Sequence, residues 1–333
     1  DMGDVASVAP IGLTAGAHVT PIDHLYFYPK AGPRDKYPVY AMADGYITSI
    51  QVRGVNVSNG EQRPPEYRLE MQHTCRTTSY YDLITKLDSS ITSKAPDATA
   101  KGYSGKIAIK SGQIIGWIGE QSLDTAIYDQ DLTLPGFINP KTYEGEPWKV
   151  HTDNFFSYFS DTLSAPMLAK NARTVEPRAG KIDYDKPGKL IGNWFKQGTN
   201  GYAGPKNTQV GDSSGRGYWS GHLAIFPYAY DPSLVIISIG DPGDGRPRAF
   251  QVKGNAPDPA TIGASAGVVK YELVQEPPMP GQPQQQMGTG SSKVEGVILV
   301  QVQSGEKLKA QVFLNKTASQ VSGFTSAATV FER

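Results

Sequence analysis

Val39-Tyr-Ala-Met-Ala-Asp-Gly-Tyr-Ile47 is the stretch on which the fold turns. Asp44-Gly45 suits a hairpin turn, because glycine reaches positive φ without a steric cost. Beyond it Tyr46, Ile47, Ile50 and Val52 interleave with polar residues, which predicts a half-buried strand. Further on, Tyr67, Leu69 and Met71 alternate with Arg68, Glu70 and Gln72, delivering His73 at a strand end. Thr78-Ser-Tyr-Tyr-Asp-Leu83 begins as a strand. Leu83, Ile84 and Leu87 then fall at helical spacing, which predicts a short helix, with loop over Ser93 to Thr99. Ser111-Gly-Gln113, between Ile107–Ile109 and Ile114–Ile118, reads as a second hairpin, and Leu123-Asp-Thr-Ala-Ile-Tyr-Asp129 as a final strand. Upstream, the aromatic Leu25-Tyr-Phe-Tyr-Pro29 is a strand bounded by proline-containing loops.

The second half repeats the β pattern without the same motifs. Phe155 to Lys170 predicts a helical stretch broken at Pro166. From Lys181 short strands follow at 190–195, 218–230, 234–239, 249–252, 268–273, 294–302, 307–313 and 328–332. Such a series without intervening helices predicts an antiparallel barrel or sandwich. The Pro/Gln-rich run from Glu276 to Ser292 predicts a mobile loop between two of these strands. The expected fold is therefore mainly β, with a first domain over 1–130, a connecting segment with a short helix over 131–180, and a barrel over 181–333.

Bulk properties narrow the function. Lys+Arg and Asp+Glu both number 32 in 333 residues, and no basic stripe interleaves with aromatics, so nucleic acid is not an expected partner. No apolar run approaches the roughly 18–20 residues of a membrane span. The single Cys75 excludes an intramolecular disulfide, and a thiol two residues from His73 on an extended segment stands too far for a direct hydrogen bond. Asn56-Val-Ser58 and Asn315-Lys-Thr317 fit the glycosylation pattern. The Ser213 to Gly217 and Gly288 to Gly290 stretches lack the strand-to-helix context of a phosphate loop. His151 and His222 stand alone in the sequence. The polar Asp1-Met-Gly-Asp-Val opening is no targeting sequence, and is compatible with a chain left after a leader is removed.

The stretch around Gly45, Tyr67 to His73, Thr78 to Leu83 and Ser111 to Gly119 together resemble the lysostaphin-type (LytM-like) zinc endopeptidases, the duplicated hybrid motif fold. The likeness spans about residues 18–130. Gly192-x-Trp194 similarly resembles the opening of lipocalin-like barrels. The first resemblance implies hydrolysis of a cell-wall peptide cross-link by zinc held between two His and an Asp, with one open position for an activated water. It implies His18, Asp23 and His24 as the candidates for the first metal ligands, and His73 as the catalytic histidine at a strand end. Tyr80 and Leu83 match a Tyr-x-His-Leu element whose histidine is replaced by Asp82.

The final strand breaks the pattern. Where the family has His-x-His, with both rings on one strand face, this chain offers Leu123 and Thr125 in one register and Asp124 and Ala126 in the other. The expectation is a non-catalytic exported protein on a degenerate peptidase fold, a binding or structural module at the cell surface, with no cofactor. Its partners would be a cell-wall peptide or glycan, or other surface proteins. The alternatives are an active zinc peptidase with a rearranged His/Asp site, and a small-ligand carrier in the barrel.

Overall fold

The computed structural model describes residues 1–54, 57–58, 61–62, 64–205, 217–280 and 292–333. Asn56, Ser213 to Arg216, Gly288 to Gly290 and most of the Pro/Gln run therefore lie outside the described residues. The chain forms two compact units, and neither is one contiguous stretch. The first comprises Asp1–Pro10, His24–Thr133 and His151–Thr174; the second comprises Ile11–Asp23, Leu134–Val150 and Val175–Arg333. The segment expected to connect two domains is thus shared between them.

The first unit holds β1 (Val5–Ala9), β2 (Leu25–Pro29), β3 (Tyr37–Tyr40), β4 (Gly45–Arg53), β5 (Val57–Ser58) and β6 (Glu61–Gln62). It continues with β7 (Glu66–Gln72), β8 (Thr77–Ile84), β9 (Lys86–Leu87), β10 (Tyr103–Ile109), β11 (Ile114–Ile118) and β12 (Leu123–Asp129). A large, seven-stranded sheet runs β1-β2-β12-β8-β7-β4-β10, a small, three-stranded one β3-β11-β9, and β5 pairs with β6. Alternation puts Leu69, Met71, Tyr81, Ile107 and Ile109 on one face of the large sheet, and a bulge between Ile47 and Ser49 brings both Ile47 and Ile50 to it, packed with Val39, Leu87, Ile115 and Ile118 of the small one. Each such side chain taken fully out of water contributes about 1.5–3 kcal/mol, offset by the entropy of ordering it.

Both expected hairpins are corners between sheets. Asp44-Gly45 links β3 of the small sheet to β4 of the large one, and Ser111 to Gln113 links β10 of the large to β11 of the small. A glycine turn shows that the chain reverses, not which sheet it enters. Gly116 on β11 serves close approach: a Cβ there would lie 2.6 Å from the Lys86 carbonyl oxygen.

The helix expected over 83–87 is strand instead. Leu83 takes a φ of 64° at an irregularity within β8, Ile84 still pairs with Tyr67, and Lys86–Leu87 then pair with β11. The helical turn comes just afterwards, as α1 (Ser89–Thr92), where the Asp88 carboxylate accepts from the Ser90 amide at 2.8 Å. The stretch expected as loop ends in α2 (Ala98–Lys101). Pro166 does not break its helix either: α3 (Asp161–Ala169) runs through it, preceded by a 3₁₀ turn over Phe155–Tyr158.

The second unit contains the barrel: β13 (Gly192–Lys196), β14 (His222–Pro227), β15 (Val235–Ile239), β16 (Arg248–Val252), β17 (Val269–Gln275), β18 (Val294–Gln303), β19 (Lys307–Leu314) and β20 (Thr329–Glu332). Each strand pairs antiparallel with the next, and β20 returns to β13, closing the ring. Sequence and structure disagree mainly at Tyr218–Gly221, which is a 3₁₀ turn before β14. Leu223, Ile225, Ile237, Phe250, Leu273, Ile298 and Leu308 share one apolar cluster with Trp194 and fill the ring. The Trp194 indole donates to the Leu190 carbonyl at 2.8 Å and lies 3.9 Å beneath the Arg333 guanidinium. Gly192, at φ 122°, is required here, since a Cβ would fall 2.1 Å from the Asp185 carboxylate.

Candidate functional site

The face of the large sheet opposite its apolar core carries the concentrated polar chemistry of the first unit. Register decides which residues reach it. On β12, Asp124 stands opposite Tyr26 of β2 and Asp82 of β8, while Ala126 stands opposite Tyr80, itself opposite Glu70 of β7. Leu123 packs on the core side. Of the two registers offered by the sequence, the structure therefore selects Asp124 and Ala126 for the polar face. Neither residue brings an imidazole to it.

His24 sits beside this row. Its Nε2 is 3.0 Å from the Tyr26 hydroxyl and 3.9 Å from Asp124 Oδ2, and its ring centroid is 5.9 Å from that of Tyr80. Asp124 also accepts from the Ser122 hydroxyl at 2.8 Å. Burial, opposed by the nearby His24, pushes the Asp124 carboxyl up to about 6. Tyr26 stacks on Tyr28 with centroids 6.1 Å apart, and Tyr80 on Tyr128 at 6.0 Å. The site is thus one acid and one imidazole set among tyrosines.

Asp82, the residue in place of the family's histidine, serves a different purpose. Arg53 grips it with two donors, and Arg68 Nη1 lies 3.6 Å away with its guanidinium 3.9 Å over the Tyr80 ring. The Asp82 carboxylate also caps its own strand, accepting from the Leu83 amide at 2.9 Å. It is buried, and its oxygens are committed to cations and backbone. Such a carboxylate is a poor candidate to ligate a metal as well.

His73 belongs elsewhere on the sheet. It lies beyond β7, one ring nitrogen 2.8 Å from the Asp44 carbonyl oxygen and the other 2.7 Å from the Ser79 hydroxyl. Its partner Ser79 shares a strand face with core residue Tyr81, whereas Tyr80 and Asp82 face the other way, so His73 lies outside the row that holds Asp124. Cys75 is exposed in the adjoining turn. His151 bonds the Leu132 carbonyl.

His18 and Asp23 are in the second unit, whereas His24 is in the first. His18 is exposed in a tight turn closed by reciprocal backbone bonds with Ala15. Asp23 is buried, and its charge adds to the burial and the Glu146 charge that keep Tyr202 and Tyr218 in the neutral form. In the same unit Lys149 donates to the Pro21 carbonyl at 2.7 Å. His222, bonded to the Tyr202 carbonyl at 2.9 Å, is held down to about 3 by burial and is therefore neutral at neutral pH.

Zinc, the metal implied by the family resemblance, was tested against this donor set. His24 and Asp124 form a pair, and the nearest further carboxylate, Asp82, is occupied by arginines. Among the described residues no group of three or more His, Cys, Asp or Glu is placed to hold a metal ion. A hydrolytic zinc needs about three protein ligands and an open position. The residues present on this face do not fit it.

No family model and no curated protein sequence matches the chain. Among solved structures it is similar to the NMR solution structure of lysostaphin, at 13% identity and a TM-score of 0.24, over 94% of this chain and 80% of that one. That likeness is weak and at the level of the fold. It says nothing of the chemistry of the polar face.

Proposed function

We propose that the chain is a non-catalytic, exported binding module at the cell surface, on a strand frame of the zinc-endopeptidase kind. The polar face of the large sheet would receive an extended peptide or glycan of the cell wall. The observation that carries this reading is the pairing row Tyr26, Asp124, Asp82: where the family resemblance would put histidines stand a buried acid and a carboxylate gripped by Arg53. The stacked, half-buried Tyr26 and Tyr28 beside it support binding, since flat rings offer contact area to sugar or peptide at little entropic cost. The alternative of a zinc peptidase with a rearranged site draws on the His24–Asp124 pair alone, and the third donor it needs is committed elsewhere. Trp194, Phe250 and Tyr271 occupy the barrel's apolar core, so the small-ligand carrier rests on the cavity of about 570 Å³ that Ile239, Ala310 and Phe331 share with loop residues.

Co-sedimentation with purified bacterial cell-wall sacculi tests the reading. The protein is expected to pellet with the sacculi without releasing soluble peptide or clearing the suspension, and a Tyr26→Ala, Tyr28→Ala variant is expected to bind about fivefold more weakly. Zinc-dependent clearing of the suspension would refute it.

A further inference from the structure

The large sheet is wider than the small sheet that covers its apolar face. The main apolar cluster draws its large-sheet members from β4, β7, β8 and β10, with Leu123 of β12 at its margin. Towards β2 the cover changes: the Phe155 ring meets that of Phe27 at 5.7 Å, and the buried Met167 comes from α3. Between edge strand β3 of the small sheet and this helical cover a cavity of about 470 Å³ remains open. Its volume falls within the range of about 300–1,000 Å³ typical of small-molecule sites.

The lining is apolar on each side. Phe27 and Leu123 form the large-sheet floor, Tyr37 and Val39 one wall, and Phe159 with Leu163 the other. Tyr40 and Leu163 also line it, and they are 42% and 58% exposed, so apolar surface continues from the cavity out to solvent. Asp1 and Asp4 are in the lining, and among the described residues no lysine or arginine is.

The geometry points to a binding site for an apolar ligand, an alkyl chain or fused aromatic ring, carrying an uncharged or amine head. Such a ligand buries its tail against side chains that offer few unmet polar groups. A carboxylate head would instead meet the Asp1 and Asp4 carboxylates, with no lysine or arginine side chain in the described lining to offset them. The site is separate from the polar face, because floor residue Leu123 and polar Asp124 are neighbours that point to opposite sides of β12.

The test is a fluorescence titration with N-phenyl-1-naphthylamine, a neutral apolar probe, followed by competition. One saturable site is expected, with decan-1-ol and decylamine displacing the probe. Affinity should rise about fourfold per methylene from hexylamine to decylamine. Decanoate should compete roughly fivefold more weakly than decylamine. Leu163→Glu and Tyr40→Glu, both at exposed positions and checked for folding by near-ultraviolet circular dichroism, should weaken the probe at least tenfold. Tyr46→Glu, equally exposed but outside the lining, should leave binding unchanged. Absence of probe binding, binding indifferent to Leu163→Glu and Tyr40→Glu, or decanoate as the strongest competitor would overturn the assignment.

Discussion

The barrel interior and the polar face of the large sheet arise from the same alternation of side chains along strands, yet they end in opposite chemistry. In the barrel the inward positions are aliphatic or aromatic, and the buried Arg333 near Trp194 is satisfied by Glu306 and three backbone carbonyls. On the sheet face His24 pairs with Asp124, and Arg53 and Arg68 converge on Asp82. Packing alone does not call for such a row, because buried ionic groups are often no more stabilising than apolar residues of equal volume. The difference teaches that stability explains the barrel's residues, while the charged row of the sheet face is what the proposed binding role would explain.

That contrast can be broken by mutation, and the barrel should show the larger effect. Trp194→Ala removes the largest side chain of the filled ring and is expected to cost about 3–5 kcal/mol in urea unfolding. A loss below about 1 kcal/mol would mean that the interior is not tightly packed. On the sheet face Asp82→Ala should cost about 2–3 kcal/mol by the same measurement, because it leaves the largely buried Arg68 with Glu70 as its remaining carboxylate neighbour while the half-exposed Arg53 recovers water.

Asp124→Asn should act in the opposite direction. With its carboxyl pushed up to about 6 against an unfolded value of about 3.9, Asp124 holds its proton to higher pH when folded than when unfolded. The stability it contributes is present below the unfolded value and is lost as pH rises through about 4 to 6. The asparagine variant lacks that loss, so at pH 7 it should be the more stable by up to about 2 kcal/mol, with the gap closing near pH 4. A constant gap between stability profiles measured from pH 4 to 7 would contradict the buried-acid description. The smallest effect belongs to His73→Ala, which forfeits two hydrogen bonds at a strand end for about 1 kcal/mol and should leave sacculus binding unchanged.

Much of the architecture could be read from the chain because short apolar strands between turn residues leave a local signal. The barrel strands fall close to their expected bounds, as do Leu25–Pro29 and Leu123–Asp129. The sheet-switching corners were not legible, since Asp44-Gly45 and Ser111 to Gln113 look alike whether their flanking strands pair with each other or part. Nor was the strand over Lys86–Leu87, whose pairing with β11 overrides helical spacing. At the site, alternation narrowed β12 to two registers, and only the pairing with Tyr26 and Asp82 separated them. Arg53 and Arg68 gave no signal, because charged residues on a strand read as a solvated face until their partner Asp82, distant in sequence, is placed beside them. Adjacency misled as well: Asp23 and His24 are consecutive, yet they serve different units.

The central claim, that the polar face lacks the donors for a hydrolytic metal, is tested most directly by counting zinc. Protein purified without chelator, dialysed and analysed by inductively coupled plasma mass spectrometry should retain far less than one zinc per chain, and Asp124→Asn should not change that content. One zinc per chain that survives dialysis and is lost in Asp124→Asn or His24→Ala would contradict the account.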